Sequence, residues 1–303
     1  MNTQRVGFIG LGNMGGRMAR RQVDAGISVL GFDTATERVA GAGAEPGASI
    51  AEVARHCELI FLSLPDSTVI EVVAAGADGL LEHARQGQVI VDLSTAAASS
   101  TIRLASRFAE KGVTYIDAGI SGGAAAAEKG ALTLMVGGDE TVLADISWAL
   151  APFASKIVYM GQSGAGHTTK LLNNFLNAVS LAATAEVMVA GRKAGLDLHR
   201  LLDVLNNSSG VNFATINRFP KIIGGDYLEG GLTGKLMTKD ILLYVDCVRE
   251  LGVASLNASG PLASFGLGTA LGYGDKISNR VVDAIGDVSG GVRLFDQTKE
   301  NAR

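Results

Sequence analysis

Short runs that are apolar at nearly every position stand out in the first half of the chain, at residues 6–9, 28–32, 59–64, 89–93, 113–116, 132–136 and 157–160. Runs without polar alternation predict strands covered on both faces. Helical stretches separate them at 16–25, which stops at Gly26, after Pro65-Asp66, at 99–111 and at 141–150. Strand and helix in alternation predict a mostly parallel, doubly wound sheet. The pattern changes at a glycine cluster, Gly161, Gly164 and Gly166. From His167 to Ala190 no proline or glycine interrupts good helix formers, and Gly195 supplies a stop, so one long helix is expected over 163–194. At 1.5 Å per residue it would span on the order of 40 Å. Beyond it the strand signal disappears, and 196–205, 212–223, 236–251, 263–271 and 276–285 all read as helices. The expected fold class is α/β: an N-terminal doubly wound domain, 1–162, and an all-α domain, 163–303, joined by the long helix.

On that helix Lys170, Asn173, Asn174 and Asn177 share one face, while Leu171, Leu172, Phe175, Leu176, Val179, Leu181, Val187 and Val189 occupy the others. One lysine and three amides in line on an apolar helix read either as the lining of a polar groove or as a solvated stripe.

The first strand runs directly into Gly10-Leu11-Gly12-Asn13-Met14-Gly15, a helix follows, and the second strand ends at Asp33. Strand, GxGxxG, helix, strand and acid in this order is the dinucleotide-binding arrangement of a Rossmann domain. Gly10 allows the tight turn, Gly12 lets the backbone approach a pyrophosphate, and Gly15 allows close helix–strand packing. Free N–H groups at the helix start favour the phosphates. Asp33 would accept hydrogen bonds from the adenosine ribose, so NAD is the expected cofactor. Ligands on such sheets lie beyond the carboxyl ends of the strands, where Leu64, Pro65, Thr95 and Ser121 also fall. Leu64, Pro65 and Thr95 therefore join Gly10–Gly15 and Asp33 as cofactor-binding candidates.

Hydride transfer from an alcohol needs a group to take the hydroxyl proton. No histidine lies at the strand ends and no Tyr-x-x-x-Lys pattern occurs, which leaves Lys170 as the best proton carrier. Burial and the nearby helix N-terminus would both disfavour its charged form, drawing its pKa down from about 10.4. The neighbouring amides would orient it without adding charge; a surface ion pair is the plainer alternative. His167 reads as a residue lining the glycine turn. Asp240 reads as a partner of Lys239 or of a helix end, or as a direct participant.

Composition narrows the classes further. At 303 residues, 47% apolar and 18% charged, the chain suits two well-buried domains. A net charge of −4 supplies no basic field for nucleic acid. No apolar run reaches membrane-spanning length, and the N-terminal run is too short for a signal peptide, so a cytoplasmic protein is expected. Cys57 and Cys247 lie far apart and the four histidines are scattered, so no metal site is expected and both thiols read as core residues. The many helical faces of a small α domain suggest a homodimer or homotetramer.

Four ordered segments, GFIGLGNMGGRMAR, DLSTAAASST, DAGISGGAAAAEKGALT and GAGHTTKLLNN, with the later Lys239-Asp240, carry a resemblance. Together they make the chain similar to the β-hydroxyacid dehydrogenases, which include 3-hydroxyisobutyrate dehydrogenase and tartronate semialdehyde reductase. The resemblance covers nearly the whole chain. It implies Lys170 as catalytic acid/base, with Asn174 as its organising neighbour. It implies Ser121, Gly122 and Gly123 as binders of a substrate carboxylate, Thr95 near nicotinamide and substrate, and Lys239 near the cofactor; Asp240 is counted with the substrate-binding candidates. The expected partner is a small carboxylate substrate. Two departures border the substrate segments: Gly119-Ile120 stands where the family has Pro-Val, loosening the backbone, and Leu232 replaces a phenylalanine ahead of an atypical Thr233-Gly234-Lys235. Imine reductases and 6-phosphogluconate dehydrogenase share the architecture and are alternatives, as is a non-catalytic cofactor-binding protein. The imine reductases usually lack the lysine, and the last reading sits poorly with an intact Lys170 and Asn174.

Overall fold

The computed structural model describes residues 5–295, and the chain divides into two compact units, 1–170 and 171–303. In chain order the first contains β1 (Arg5–Ile9), α1 (Gly15–Asp24), β2 (Ser28–Phe32), α2 (Thr36–Ala42), β3 (Glu45–Pro46), α3 (Ile50–His56), β4 (Leu59–Leu62), α4 (Ser67–Ala75), α5 (Leu80–His83), β5 (Val89–Asp92), α6 (Ala98–Ala109), β6 (Thr114–Ser121), α7 (Gly123–Glu128), β7 (Leu132–Gly137), α8 (Glu140–Leu150) and β8 (Ala154–Gly161). The strands form one sheet in the order β3-β2-β1-β4-β5-β6-β7-β8. All neighbours pair in parallel except β6 and β7, which are antiparallel. Successive strand residues face opposite sides, so Phe61 joins Val6, Phe8 and Ile116 in one core while Ile60 and Leu62 join Ile9 and Ile90 in another. Each fully buried side chain of this size contributes about 1.5–3 kcal/mol.

The structure corrects several sequence-based bounds. The sheet is mostly parallel, as expected, with one antiparallel junction at β6–β7, but β6 continues to Ser121 rather than stopping at residue 116. A carboxylate would normally close an apolar strand, but Asp117 is fully buried and accepts the N–H groups of Gly164 at 2.7 Å and His167 at 2.8 Å. Those donors belong to the start of α9 (Ala165–Lys193), the long helix. It begins two residues later than expected because Gly164 turns with a positive φ of 90°. A Cβ at Gly166 would lie 2.4 Å from the Met135 carbonyl and 2.6 Å from that of Asp117. The first turns of α9 thus pack closely against β6 and β7, and the division into compact units falls after Lys170, inside the helix.

The rest of α9 opens the second unit, followed by α10 (Leu198–Asn206), α11 (Phe213–Asn217), α12 (Phe219–Ile222), α13 (Gly234–Glu250), α14 (Ser259–Ala270) and α15 (Val281–Val288). No strand occurs there among the described residues. Leu181, Met188, Phe219, Met237, Ile241 and Phe265 belong to its core. The single helix expected over 212–223 is two short helices separated at Arg218. Pro220 lies in the first turn of α12, where it has no N–H to bond the carbonyl four residues back, so a continuous helix is interrupted there. The helix expected over 276–285 opens as a 3-10 turn, Ser278–Arg280, before α15. The glycine-rich stretch expected from Val288 is irregular up to Phe295, and residues 296–303 lie outside the described residues. No helix among the described residues is long and apolar enough to cross a membrane.

Candidate active site

At the carboxyl end of β1 the chain turns at Gly10, whose φ of 87° suits glycine. A Cβ there would sit 2.3 Å from the Ser63 carbonyl oxygen, and one on Gly15 would sit 2.0 Å from that of Gly10. At Gly12 a Cβ would meet nothing within 4 Å. The turn is therefore tight where it packs and open at Gly12, the fit a pyrophosphate requires. Asp33, at the end of β2, is buried. Its Oδ2 accepts the Leu11 N–H at 2.7 Å, its Oδ1 accepts the Ala35 N–H at 2.9 Å, and Arg38 Nη1 approaches Oδ1 at 3.4 Å.

The next loops are tied together. Leu64 N–H donates to Ser94 Oγ at 2.9 Å, and Ser94 N–H donates to Asp92 Oδ1 at 3.0 Å. Thr95 follows half-buried, and Pro65 is exposed. Gly10 to Gly15, Asp33, Leu64, Pro65 and Thr95 thus lie on loops after β1, β2, β4 and β5, neighbours in the sheet. Here the strand order reverses, with β2 on one side of β1 and β4 on the other.

Beneath Thr95, Asp92 is fully buried and its Oδ2 accepts the Tyr115 hydroxyl at 2.8 Å. Burial and the Asp92 charge hold the Tyr115 hydroxyl well above its ordinary pKa, so it remains a donor. His167 is buried as well, with Nδ1 2.7 Å from Thr101 Oγ1 and Nε2 3.3 Å from the Asp92 carbonyl oxygen. His167 therefore fastens α9 to the sheet.

Gly119 does not loosen β6; it allows the closest helix–strand approach near the lysine. A Cβ at Gly119 would lie 2.5 Å from Lys170 Cβ. Strand periodicity puts Ser121 on the same face of β6 as Gly119, about 7 Å farther along. Lys170, half-buried, thus lies against the strand face that presents Ser121. Beyond Ser121 the backbone turns through Gly122 and Gly123, at φ of 130° and 70°, with Gly123 opening α7.

In the second unit Asn174, one turn beyond Lys170 on α9, is buried. Its Nδ2 donates to Asp240 Oδ2 at 2.6 Å, and its Oδ1 accepts from Asn173 at 3.3 Å. A reversed amide would set oxygen against carboxylate, so the network dictates this orientation. Asp240 Oδ1 lies 3.2 Å from Lys239 Nζ, an ion pair without hydrogen-bond geometry. Asp240 Oδ2 is thus held by Asn174, while Oδ1 has the Lys239 charge beside it but no hydrogen-bond partner. Asn177 does not simply extend the amide face: its Oδ1 accepts from Arg218 Nη2 at 3.0 Å. No motif announced that arginine. The atypical Thr233-Gly234-Lys235 begins α13, with Thr233 Oγ1 accepting from Leu236 at 3.3 Å; Leu232 packs against the core.

Fold and cofactor loop define a nicotinamide-dependent oxidoreductase, and comparison with known proteins agrees. The family model "NAD binding domain of 6-phosphogluconate dehydrogenase" matches residues 5–161, and "NAD-binding of NADP-dependent 3-hydroxyisobutyrate dehydrogenase" matches residues 164–276. The chain is 35% identical to the 2-(hydroxymethyl)glutarate dehydrogenase of Eubacterium barkeri, over 92% of this chain and 93% of that protein. It is 37% identical to the mitochondrial 3-hydroxyisobutyrate dehydrogenase of Mus musculus, over 80% and 75%. Among solved structures, a Mycobacterium tuberculosis 3-hydroxyisobutyrate dehydrogenase with L-serine superposes with a TM-score of 0.84 at 29% identity, covering 92% of this chain and 98% of that one. The chain belongs to the β-hydroxyacid dehydrogenase family, enzymes that act on CH–OH groups with a nicotinamide cofactor.

Proposed function

We propose that the enzyme interconverts a 3-hydroxypropanoate bearing a substituent at C2 with its semialdehyde, using NAD and Lys170 as proton carrier. The packing of Lys170 onto Gly119, on the strand face that presents Ser121, carries this reading. The compounds in the relatives' names support the substrate class. 2-(Hydroxymethyl)glutarate, 3-hydroxyisobutyrate and L-serine all have a hydroxymethyl group on the carbon that holds a carboxylate, and differ only in the second substituent.

Gly10, Leu11, Gly12, Asn13, Met14, Gly15, Asp33, Leu64, Pro65 and Thr95 would hold the cofactor, with Lys239 contributing from α13. Bound NAD supplies the hydride acceptor. Neutral Lys170 takes the hydroxyl proton during oxidation and returns it during reduction. Asn174, with one N–H left after Asp240 takes the other, donates to the substrate oxygen. Asp240 positions Asn174 and Lys239, and it stays with the substrate-binding candidates through Oδ1, which has no hydrogen-bond partner. On this reading 1–162 binds cofactor and 163–303 serves substrate and assembly. Exposed Leu176, Phe213, Ile216 and Leu256 support a homodimer or homotetramer, and the two free cysteines support a reducing, cytoplasmic setting.

The carboxylate assignment rests on Ser121 and the consecutive N–H groups of Gly122 and Gly123, where no side chain intervenes. The free acid should be a substrate and its methyl ester a poor one. Loss of charge-assisted hydrogen bonds of about 1.5–3 kcal/mol predicts a roughly ten- to hundredfold fall in kcat/KM. Equal kcat/KM for acid and ester would remove Ser121, Gly122 and Gly123 from the substrate site.

A further inference from the structure

Arg218, at the break between α11 and α12, is a half-buried cation held only by neutral groups. Its Nη1 donates to Asn279 Oδ1 at 2.8 Å and its Nη2 to Asn177 Oδ1 at 3.0 Å. Its guanidinium carbon lies 5.7 Å from the Phe213 ring centroid. Among the described residues no carboxylate reaches it. Arg280 and Arg293, also half-buried in this unit, each hold carboxylates: Glu229 and Asp283 for the first, Asp283 and Asp287 for the second. Burial draws the pKa of Arg218 down to about 10, still well above neutrality, so the charge persists at a cost that an arriving anion would relieve.

The partners are themselves fixed. Asn279 is buried and its Nδ2 donates to the Tyr227 carbonyl oxygen at 2.8 Å, which turns its Oδ1 towards the guanidinium. A guanidinium has five N–H donors, and these two bonds leave three for a bidentate anion. Asn177 follows Asn174 by three residues on one face of α9, and helical side chains lean towards the N-terminus. Arg218 therefore adjoins the turn that carries Asn174, which the function proposed above places at the reacting oxygen.

We infer that Arg218, with Asn177 and Asn279 as its cradle, receives a second carboxylate at the end of the substrate's C2 substituent, so that the preferred substrate is a dicarboxylic 3-hydroxy acid. The inference rests on the proposed substrate class but concerns a separate group of residues. It makes Arg218 a specificity-determining residue that a single-carboxylate substrate leaves unused.

Two measurements on the full-length protein test it. In turnover, wild type should favour 2-(hydroxymethyl)glutarate over 3-hydroxyisobutyrate in kcat/KM by roughly tenfold or more, the scale of one charge-assisted contact. Arg218→Met should erase that preference mainly through KM, and Arg218→Lys should keep part of it. Equal losses on both substrates in Arg218→Met would show a purely structural arginine and overturn the inference. In calorimetric titration, which needs no turnover and no variant, glutarate should bind wild type roughly tenfold or more tightly than isobutyrate. Equal binding of the two would also overturn it. If wild type oxidises neither hydroxy acid yet binds glutarate selectively, the reaction proposed above fails and the anion site stands.

Discussion

Lys170→Met should lower kcat by roughly 10²–10⁴-fold, the range of a lost general acid/base, and leave NADH binding nearly unchanged. Methionine keeps the aliphatic stem that lies against Gly119, where a Cβ would meet Lys170 Cβ at 2.5 Å and Cγ at 3.2 Å. The substitution thus removes the amine with little change in packing. Steady-state kcat across pH and fluorescence titration of NADH together check this. A variant that retained most of its kcat would remove Lys170 from the mechanism.

Lys170 stands out in the sequence as a candidate, but its packing against β6 does not. Helix periodicity aligns Lys170 with Asn174, yet what lets the helix approach β6 so closely at Lys170 is Gly119, which reads in the sequence as a loosened backbone. A glycine at a helix–strand contact and a glycine in a flexible loop look alike without the opposing residue. The same holds for Asp117: a charged residue after an apolar run signals a strand end, and only the two N–H groups at the start of α9 explain why β6 continues. The cofactor loop was readable because its chemistry is local, with turn, helix and acid lying within one βαβ unit. Arg218 was hidden because its partners, Asn177 and Asn279, lie far from it in sequence and are amides that no motif marks.

Cofactor preference should favour NAD over NADP by about a hundredfold or more in kcat/KM. NADP would bring a phosphate of nearly two negative charges to the Asp33 carboxylate, which is fixed by Leu11 and Ala35 N–H groups and cannot turn away. At about 4 Å and an effective dielectric near 20, each like-charge pair costs roughly 4 kcal/mol before screening. Solvent and salt reduce that severalfold. Arg38 is half-exposed and offsets part of the remainder, but turning to the phosphate would take it from Asp33, 3.4 Å away. A residue of about 2.7 kcal/mol corresponds to a hundredfold. Thr34→Arg, at an exposed position, should narrow the preference without touching the turn. Asp33→Asn should weaken NAD use as well, because its NH2 group would oppose one of the two backbone donors. Comparable kcat/KM with both cofactors in wild type would show that Arg38, not Asp33, governs the choice.

On the proposed function, the enzyme oxidises a hydroxymethyl group on the carbon bearing a carboxylate. The most direct measurement is NADH formation at alkaline pH, where proton release favours oxidation, with 3-hydroxyisobutyrate, L-serine, 2-(hydroxymethyl)glutarate and the isomer 2-hydroxybutyrate, a secondary alcohol on the carbon bearing the carboxylate, as substrates. Turnover is expected with at least one of the three 3-hydroxy acids and none with the 2-hydroxy isomer. NADH formation from the 2-hydroxy isomer, or from none of the four, would contradict it.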